Sequence, residues 1–392
     1  MPWKQTAVMN QRIEFVLKAM QTDNFRALCS EYGISPKTGY KWKERFIQDG
    51  VAGMSELSRR PRSSPDGLSE GVVCEIIRIK QKHLAWGPRK VRAIYGRTHL
   101  DTPSESSFKR VLDRAGYTQK RRLRGRQEAG RLHSGRRAQA PNEVWTVDFK
   151  GWWYGAEGSR CEPLTVRDEF SRYVLDLRLL PDARTGTVRQ SFERLFEENG
   201  LPGAIRSDNG TPFACRQSVL GLTKLSVWWL ALGIDLERGR PGCPQDNGGH
   251  ERLHLDIHLE LERQRLGEQQ AVLDEWRQTF NEERPHEALG MNFPSQVYQR
   301  SGRAYEGTPE DLEYPGMNVR KVQVGGTIKW QYQDFLISAA LAGWSVGIAP
   351  AGAAGLWNVW FGKLLLGQLE PGTASFHRAT GGVPSFGRKE EG

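Results

Sequence analysis

The segment Val144-Trp145-Thr146-Val147-Asp148-Phe149 decides how the rest of the chain is interpreted. Its apolar, β-branched and aromatic residues are typical of a buried strand. The segment has a single acid, Asp148. A carboxylate among apolar neighbours is costly unless a partner compensates its charge. The segment therefore predicts a strand that carries a functional acid and needs partners from elsewhere in the chain.

Two downstream acids are the candidate partners of Asp148. Asp208 follows Asp148 by 60 residues and ends a short apolar run, and Glu251 follows Asp208 by 43 residues where a helix is expected to begin. Alternating strands and helices bring such distant acids to one end of a sheet. Oxygen donors without cysteine are what Mg²⁺ or Mn²⁺ prefers. Two such ions can stabilise the attacking and leaving oxygens of a displacement at phosphorus.

The charge distribution separates a basic half from a more acidic half. Of 392 residues, residues 1–140 hold 29 Lys and Arg against 13 Asp and Glu, and the rest hold 27 against 33. The length predicts two to four domains, and the basic half indicates a polyanion partner, most commonly nucleic acid. Five scattered cysteines and no apolar leader fit a reducing cytosol. The long uncharged stretch 335–362 is rich in glycine and predicts small antiparallel strands rather than a membrane span.

Residues 1–57 predict a helix-turn-helix DNA-binding domain. Gly33 permits a tight turn, Ser35 is placed to cap the next helix, and Pro36 suits its first turn. Residues 69–117 repeat the three-helix pattern and predict a second such domain. Between and after them, residues 58–68 and 118–140 predict extended linkers, the latter strongly basic.

Basic residues on these helices and in the second linker are the predicted DNA contacts, although a solvated basic face or a plain linker would have the same composition. They are Lys37, Lys41, Lys43, Arg45, Arg89, Lys90, Lys109, Arg110, Lys120, Arg121, Arg122, Arg124 and Arg126.

Residues 141–300 predict the catalytic unit. Strands are expected near 143–149, 164–180, 204–206 and 234–237, with helices at 187–199, at 225–232 and from Glu251 onward. This order predicts a mixed α/β sheet. Residues 301–318 predict a linker and residues 373–392 a disordered tail.

Four segments closely resemble the integrase catalytic core of bacterial insertion-sequence transposases. They are Trp145-Thr-Val-Asp148, Ser207-Asp208-Asn209-Gly210, Asn247-Gly-Gly-His-Glu251-Arg252 and Phe280-Asn281-Glu-Glu-Arg284-Pro285-His286-Glu-Ala-Leu289. The resemblance implies a ribonuclease-H-like fold of the retroviral-integrase type, with Asp148, Asp208 and Glu251 as catalytic metal ligands. It also implies that residues 319–372 form the small β-barrel that follows the core in related transposases.

Two features depart from the family pattern. The spacing between Asp208 and Glu251 is longer than usual, and residues 216–228 are expected to contain the extra length. His250 also stands where the family commonly has lysine or valine. The Asn281-to-His286 motif follows the triad helix in the family but does not by itself indicate chemistry.

The predicted function is that of a DNA transposase. Such an enzyme binds the ends of an element, cuts to expose 3′-hydroxyls and joins them to target DNA with Mg²⁺ or Mn²⁺, as a multimer on duplex DNA. No phosphate-binding G-x-x-x-x-G-K-[ST] loop is visible, so an ATP-driven step would need a partner.

Other interpretations of the same residues remain open at this level. A DNA-binding regulator with an inactive core would share most of the pattern. His250, Glu251 and His254 also match the H-E-x-x-H helix of zinc proteases. Taken singly, Asp208 fits an ordinary turn, Asp168 a hairpin turn, and Asp176 a solvent-facing position on a strand.

Overall fold

The structure is a computed structural model that describes residues 8–56, 67–118, 137–154, 158, 160–239, 247–262, 270–352 and 355–379. By its contacts the chain divides into two compact units, residues 1–69 and 70–392. No helix within the described residues has the length and apolar character needed to cross a bilayer.

The first unit is a three-helix domain with a helix-turn-helix. Its helices are α1 (Val8–Ala19), α2 (Phe25–Glu31) and α3 (Pro36–Asp49), followed by a 3-10 turn at Gly50–Met54. Gly33 has φ +62°, and the Ser35 hydroxyl accepts from the Thr38 amide at the start of α3. Trp42 is buried with Phe15 in the core of the unit, which leaves the basic face of α3 outside. The predicted turn chemistry is confirmed.

The second unit begins with another three-helix module. It contains α4 (Glu70–Lys82), α5 (Pro88–Thr98) and α6 (Glu105–Arg114) around a small core that includes Ile76, Val91 and Phe108. The Ser104 hydroxyl accepts from the Ser107 amide and caps α6. This module is part of the same compact unit as the catalytic core.

A mixed five-stranded sheet organises the core. Its strands are β1 (Val144–Phe149), β4 (Pro163–Asp168), β5 (Val174–Leu179), β6 (Ala204–Ser207) and β7 (Asp235–Arg238), and a separate ribbon pairs β2 (Trp153–Tyr154) with β3 (Arg160–Cys161). The sheet order is β5-β4-β1-β6-β7. The β5-β4-β1 part is antiparallel, and β6 and β7 continue it in parallel. The predicted mixed sheet is confirmed.

Helices cover both faces of this sheet. The helices of the core are α7 (Thr185–Asn199), α8 (Lys224–Ala231), α9 (Gly248–Ile257) with a π-helical turn at His258–Glu262, α10 (Gln270–Glu282) and α11 (Pro294–Val297). Trp145 and Val147 share a core with α7 and α8, whereas α10 packs against β5 on the face that carries Val174 and Leu177. The sequence predicted this helix to begin at Glu251, and α9 begins three residues earlier, at Gly248.

The C-terminal segment is a set of antiparallel strands. The strands are β8 (Asn318–Lys321), β9 (Thr327–Trp330), β10 (Gln333–Leu336), β11 (Ser345–Pro350), β12 (Trp357–Phe361), β13 (Leu364–Glu370) and β14 (Ser375–Arg378). They pair as an open sheet, β14-β13-β12-β11-β8, and as a separate β9-β10 ribbon. The predicted closed barrel is therefore not confirmed, because the strand pairing leaves two sheets rather than one closed ladder.

The predicted 301–318 linker and the start of the predicted disordered tail are both ordered parts of the fold. In the predicted 301–318 linker, Ser301 donates to the Leu201 carbonyl at 2.6 Å and the Trp228 indole donates to Thr308 at 2.9 Å. The predicted disordered tail starts too early at 373, since β14 pairs with β13 there. Residues 380–392 and most of both basic linkers lie outside the described residues.

Candidate active site

Asp148 and Asp208 end adjacent parallel strands at the same level. The β1–β6 register pairs Val144 with Ala204 and Thr146 with Arg206, an offset of 60 residues. The same offset places Asp208, directly after β6, level with Asp148. Neighbouring strands lie about 4.8 Å apart, so the two acids are neighbours across the sheet. Asp208 also forms a turn, because its carboxylate accepts from the Gly210 amide at 3.1 Å.

The α9 helix lies on the face of β1 that carries Asp148, and His250 attaches it there. The side chain of His250 is fully buried, and its Nε2 lies 2.5 Å from Thr165 Oγ1 while its Nδ1 lies 2.8 Å from Thr146 Oγ1. Thr165 is the cross-strand partner of Asp148, and its hydroxyl donates to the Asp148 carbonyl at 2.9 Å. His250 therefore joins the Glu251 helix to both strands beside the first acid.

Arg167 provides a second attachment at the start of α9. Its guanidinium is 3% exposed and donates to the Gly249 carbonyl at 2.5 Å and to the Glu169 carboxylate at 2.6 Å. A Cβ added at Gly249 would overlap the Arg167 guanidinium, so this position needs glycine for a close approach of the backbone. Gly249 and His250 of the Gly-Gly-His-Glu sequence thus have packing reasons that are independent of chemistry.

The histidine pair does not fit the zinc-protease interpretation. Both ring nitrogens of His250 face threonine hydroxyls, and His254 Nε2 lies 3.0 Å from Thr165 while its Nδ1 lies 4.0 Å from an Asp148 oxygen. Burial, followed by the charges of Lys150 and Arg167, lowers the pKa of His254 to about 4. Both rings therefore join α9 to the sheet through threonine hydroxyls.

The electrostatics of Asp148 link the three acids. Burial, and then the negative charges of Asp208 and Glu251, raise the pKa of Asp148 to about 7, while a hydrogen bond from the Phe149 amide opposes the shift. The structure thus brings all three carboxylates within electrostatic range. The Asp208 and Glu251 side chains themselves are exposed to solvent.

The arrangement fits a divalent cation by its chemistry but is not a closed cage. Within the described part of the chain, no three His, Cys, Asp or Glu side chains are arranged as a metal-ligating group. All three donors of the acidic set are carboxylates, as Mg²⁺ and Mn²⁺ prefer, and a nearby cation would offset the repulsion that raises the pKa of Asp148.

Two other acids of the core have structural partners. Asp176 is 1% exposed rather than solvent-facing, because α7 supplies Arg194, whose Nη2 lies 2.6 Å from it. Asp168 is also buried, and its carboxylate accepts from the Asn142 amide at 2.7 Å and from the Ser171 amide at 2.8 Å. Burial raises the pKa of both carboxyls. The solvent-facing interpretation of Asp176 was wrong.

Some of the side chains predicted to contact DNA in the first unit bind backbone carbonyls of that unit instead. Lys43 donates to the Ala19 carbonyl at 3.0 Å, and Arg45 lies 3.4 Å from the Ser55 carbonyl. Lys37 and Lys41 are exposed on the outer face of α3.

In the second module, too, some of the predicted DNA contacts have partners within the protein while others are exposed. Arg89 pairs with Glu105 at 2.8 Å and with Glu287 at 3.1 Å. Burial, and then the charge of Arg284, lower the pKa of Lys90 to about 8.

The α6 helix carries the remaining predicted contacts of this module, and Lys109 and Arg110 are exposed there. Lys120, Arg121, Arg122, Arg124 and Arg126 lie outside the described residues. All these DNA contacts stay predictions.

Sequence reasoning missed the polar residues that hold the site together. In β4, Thr165 and Arg167 alternate with the buried Leu164 and Val166. Residues two apart on a strand share a face. This alternation was the available signal, since it puts both polar side chains on one face of β4, the same face of the sheet that carries Asp148 on β1.

Comparison with known proteins gives a consistent assignment. Integrase core domain models match residues 138–244 and 232–294, a helix-turn-helix domain model matches 11–62, and a homeodomain-like domain model matches 38–112. These matches assign an integrase core to the residues of the mixed sheet and helix-turn-helix domains to the residues before it, and both kinds of domain imply DNA binding. An IS481 family transposase C-terminal domain model matches residues 317–374.

The similar proteins include products of insertion elements. An uncharacterized protein of insertion element IS407 from Burkholderia multivorans is 27% identical over 252 residues, 63% of this chain and 87% of that protein. One of IS476 from Xanthomonas euvesicatoria is 23% identical over 250 residues, 63% of this chain and 70% of that protein. The catalytic core domain of BIV integrase is 21% identical, with a TM-score of 0.32 over 40% of this chain and 93% of that chain.

The predicted resemblance is confirmed. Parts of the chain match the integrase core, helix-turn-helix and IS481 family transposase C-terminal domain models, and the chain is similar to proteins of insertion elements.

Proposed function

We propose that this protein is a transposase that cuts DNA at the ends of a mobile element to give 3′-hydroxyls and joins those ends to target DNA. The observation that carries the proposal is the convergence of Asp148, Asp208 and Glu251 at one edge of the sheet, where the other two acids help to raise the pKa of Asp148 to about 7. Perturbed acids in such a cluster are typical of a functional site.

Asp148, Asp208 and Glu251 would hold one or two Mg²⁺ or Mn²⁺ ions. Bound there, the ions would supply charge stabilisation to a reacting phosphate and activate the attacking oxygen, which is a water or a DNA 3′-hydroxyl. The protein supplies the positions of the three carboxylates. Asp148 is fixed on the central strand, Asp208 on its parallel neighbour, and Glu251 on a helix that His250 and Arg167 hold against that strand.

The duplex would be bound by the exposed faces of α3 and α6. Lys37 and Lys41 on α3 and Lys109 on α6 face solvent, and each phosphate contact would release counterions and make binding salt-dependent. Joining two ends of one element requires both to be held together, so we infer a multimer on DNA in the bacterial cytoplasm. An ATP-driven step would require another protein.

One observation favours a second candidate, a DNA-binding regulator with an inactive core. The Asp208 and Glu251 side chains are exposed, and the described residues contain no closed group of three metal ligands. The test is strand transfer of a labelled end duplex in Mg²⁺ or Mn²⁺, with Asp148→Asn beside the unaltered protein. Joined product from the unaltered protein alone supports the transposase. Intact DNA binding without product from either would favour the regulator, and equal product from both would exclude Asp148 as a catalytic acid.

A further inference from the structure

The five residues Glu283-Arg284-Pro285-His286-Glu287 follow α10 and contact two different parts of the second unit. On the inner side, Arg284 Nη2 lies 2.7 Å from Asp256 Oδ1 and its Nη1 lies 2.6 Å from Glu260 Oε1. The Arg284 side chain is only 3% exposed. Asp256 belongs to α9 and Glu260 to the π-helical turn that continues it. Arg284 therefore binds the helix that carries Glu251, about one and a half to two and a half turns beyond that acid.

On the outer side, the two glutamates of the same segment bind the second helical module. Glu283 Oε2 lies 2.7 Å from Lys82 Nζ at the end of α4, and Glu287 Oε2 lies 3.1 Å from Arg89 Nη1 in the first turn of α5. Further along, Arg97 of α5 donates to the Met291 carbonyl at 3.1 Å. The module is thus attached through ion pairs to the residues on either side of Arg284.

The segment itself is fixed to the sheet. The side chain of Asn281 donates to the Val174 carbonyl at 2.9 Å and accepts from the Val174 amide at 2.8 Å, as a neighbouring strand would. The Arg284 amide bonds to the Thr279 carbonyl at 3.1 Å, which closes the end of α10. Because Arg284 and the two glutamates lie within five residues of one anchored segment, a shift of the segment would move all three together.

The inner and outer contacts differ in strength. Removing one partner of a buried ion pair leaves an uncompensated charge and is strongly destabilising, whereas exposed pairs contribute little. The Arg284 contacts are buried, while the Lys82 and Glu283 side chains are 61% and 44% exposed. The segment is therefore bound strongly to the Glu251 helix, whereas its ion pairs with the second helical module are weak.

We propose that this segment is a connector: Arg284 is a positioning residue for the Glu251 helix, and Glu283 and Glu287 set where DNA on the second module lies relative to that helix. The inference rests on the proposed transposase function. It gives a role to the Asn-x-x-Arg-Pro-His motif that does not require contact with substrate. Loss of Arg284 should weaken cation binding and transfer but not DNA binding, whereas loss of the outer pairs should shift the position of the cut.

The inner contact is tested with Arg284→Met and the charge-retaining Arg284→Lys in the full chain. Mn²⁺ binding without DNA is measured by calorimetry, and end-duplex binding by fluorescence anisotropy. Residues that support metal ligands typically change metal affinity by about 10- to 100-fold, so Arg284→Met should weaken Mn²⁺ binding by about that factor, with partial rescue by lysine. If the methionine variant does not fold, Glu260→Gln takes its place. Unchanged Mn²⁺ affinity in the folded variant overturns the positioning role.

The outer contact is tested by charge reversal. Glu283→Lys and Lys82→Glu should each spread the cuts over neighbouring phosphates on a sequencing gel, and the double variant should restore the single position, because the pair is re-formed with opposite signs. Glu75→Lys is the matched control, since Glu75 pairs with Arg78 at 2.6 Å within α4 itself. Unshifted cuts in the single variants, or no restoration in the double variant, contradict the connector.

The two proposals fail separately. If the unaltered protein neither cuts nor joins DNA, the transposase proposal fails, while weaker Mn²⁺ binding by Arg284→Met would still support the positioning role. If the unaltered protein transfers strands and Arg284→Met matches it in Mn²⁺ binding and in rate, the connector fails and the transposase stands.

Discussion

Replacing Asp148 by asparagine should stabilise the cation-free protein at alkaline pH. In the folded protein, burial and the charges of Asp208 and Glu251 raise the pKa of Asp148 to about 7, against an ordinary value of 3.8. Between these values the folded state binds more protons than the unfolded state. The contribution of this carboxyl to the free energy of unfolding is therefore greatest below the ordinary pKa and is lost as the pH rises through about 7. Asparagine mimics the protonated form and removes this loss.

The magnitude follows from the two pKa values. Their difference corresponds to at most about 4 kcal/mol. The Asp148 side chain is 29% exposed, and solvent screening reduces the expected gain to about 1–3 kcal/mol at pH 8. The gain should be smaller at pH 5, where the folded protein keeps the carboxyl protonated. The same variant should lose strand transfer, so stability and activity are expected to change in opposite directions.

The assay is urea unfolding of both proteins in EDTA at several pH values from 5 to 8. The quantity of interest is the difference in free energy of unfolding between Asp148→Asn and the unaltered protein. The contributions of the other titrating groups to the pH dependence are the same in both proteins and cancel in this difference. Asp311→Asn is the control for the sign: although partial burial opposes the shift, hydrogen bonds from Ser345 and Lys321 lower the pKa of Asp311 to about 2, so this variant should lose stability at pH 8 rather than gain it. A difference for Asp148→Asn that stays constant with pH, or that shows destabilisation at pH 8, would refute the electrostatic coupling of the acids.

Three further outcomes are expected. A non-reactive divalent ion such as Ca²⁺, added at 100 times its dissociation constant, should stabilise the unaltered protein by about 2.7 kcal/mol and so raise its melting temperature, but should not do so for Asp208→Asn. Equal shifts of the melting temperature in both proteins would argue against Asp208 as a ligand. Gly249→Ala should lower transfer at least about 10-fold with DNA affinity retained, as its Cβ displaces Arg167 from the start of α9; single-turnover rates check this, and an unchanged rate would contradict it. Lys37→Ala and Lys41→Ala should each reduce the slope of log affinity against log salt by about 0.9, measured by anisotropy, whereas an unchanged slope would mean that these side chains do not meet phosphates.

Local signals predicted much of the secondary structure because they act over a few residues. Ser35 and Ser104 cap α3 and α6 by bonding to amides three residues away, and Gly33 adopts the positive φ that a tight turn requires. The strand of Asp148 and the strand that precedes Asp208 were also predicted, because short apolar runs report burial directly.

Predictions failed where burial depends on elements distant in sequence. A solvent-facing position was one interpretation of Asp176, yet α7 brings Arg194 over it and α10 covers β5 from the other side. Alternation along a strand tells which residues share a face but not what covers that face. The same limit applies to the C-terminal segment, where the strands were predicted and their pairing into two sheets was not.

By itself, the sequence determined that a strand carries Asp148, that Asp208 follows a second strand, that Glu251 lies on a helix, and that two helix-turn-helix modules precede them. Only the tertiary structure decided how Glu251 is presented. His250 between Thr146 and Thr165, Arg167 at Gly249, and Arg284 on Asp256 and Glu260 join residues 24 to 104 positions apart. Hydrogen bonds and ion pairs act over a few ångströms in space, and no local pattern encodes which distant side chains will meet.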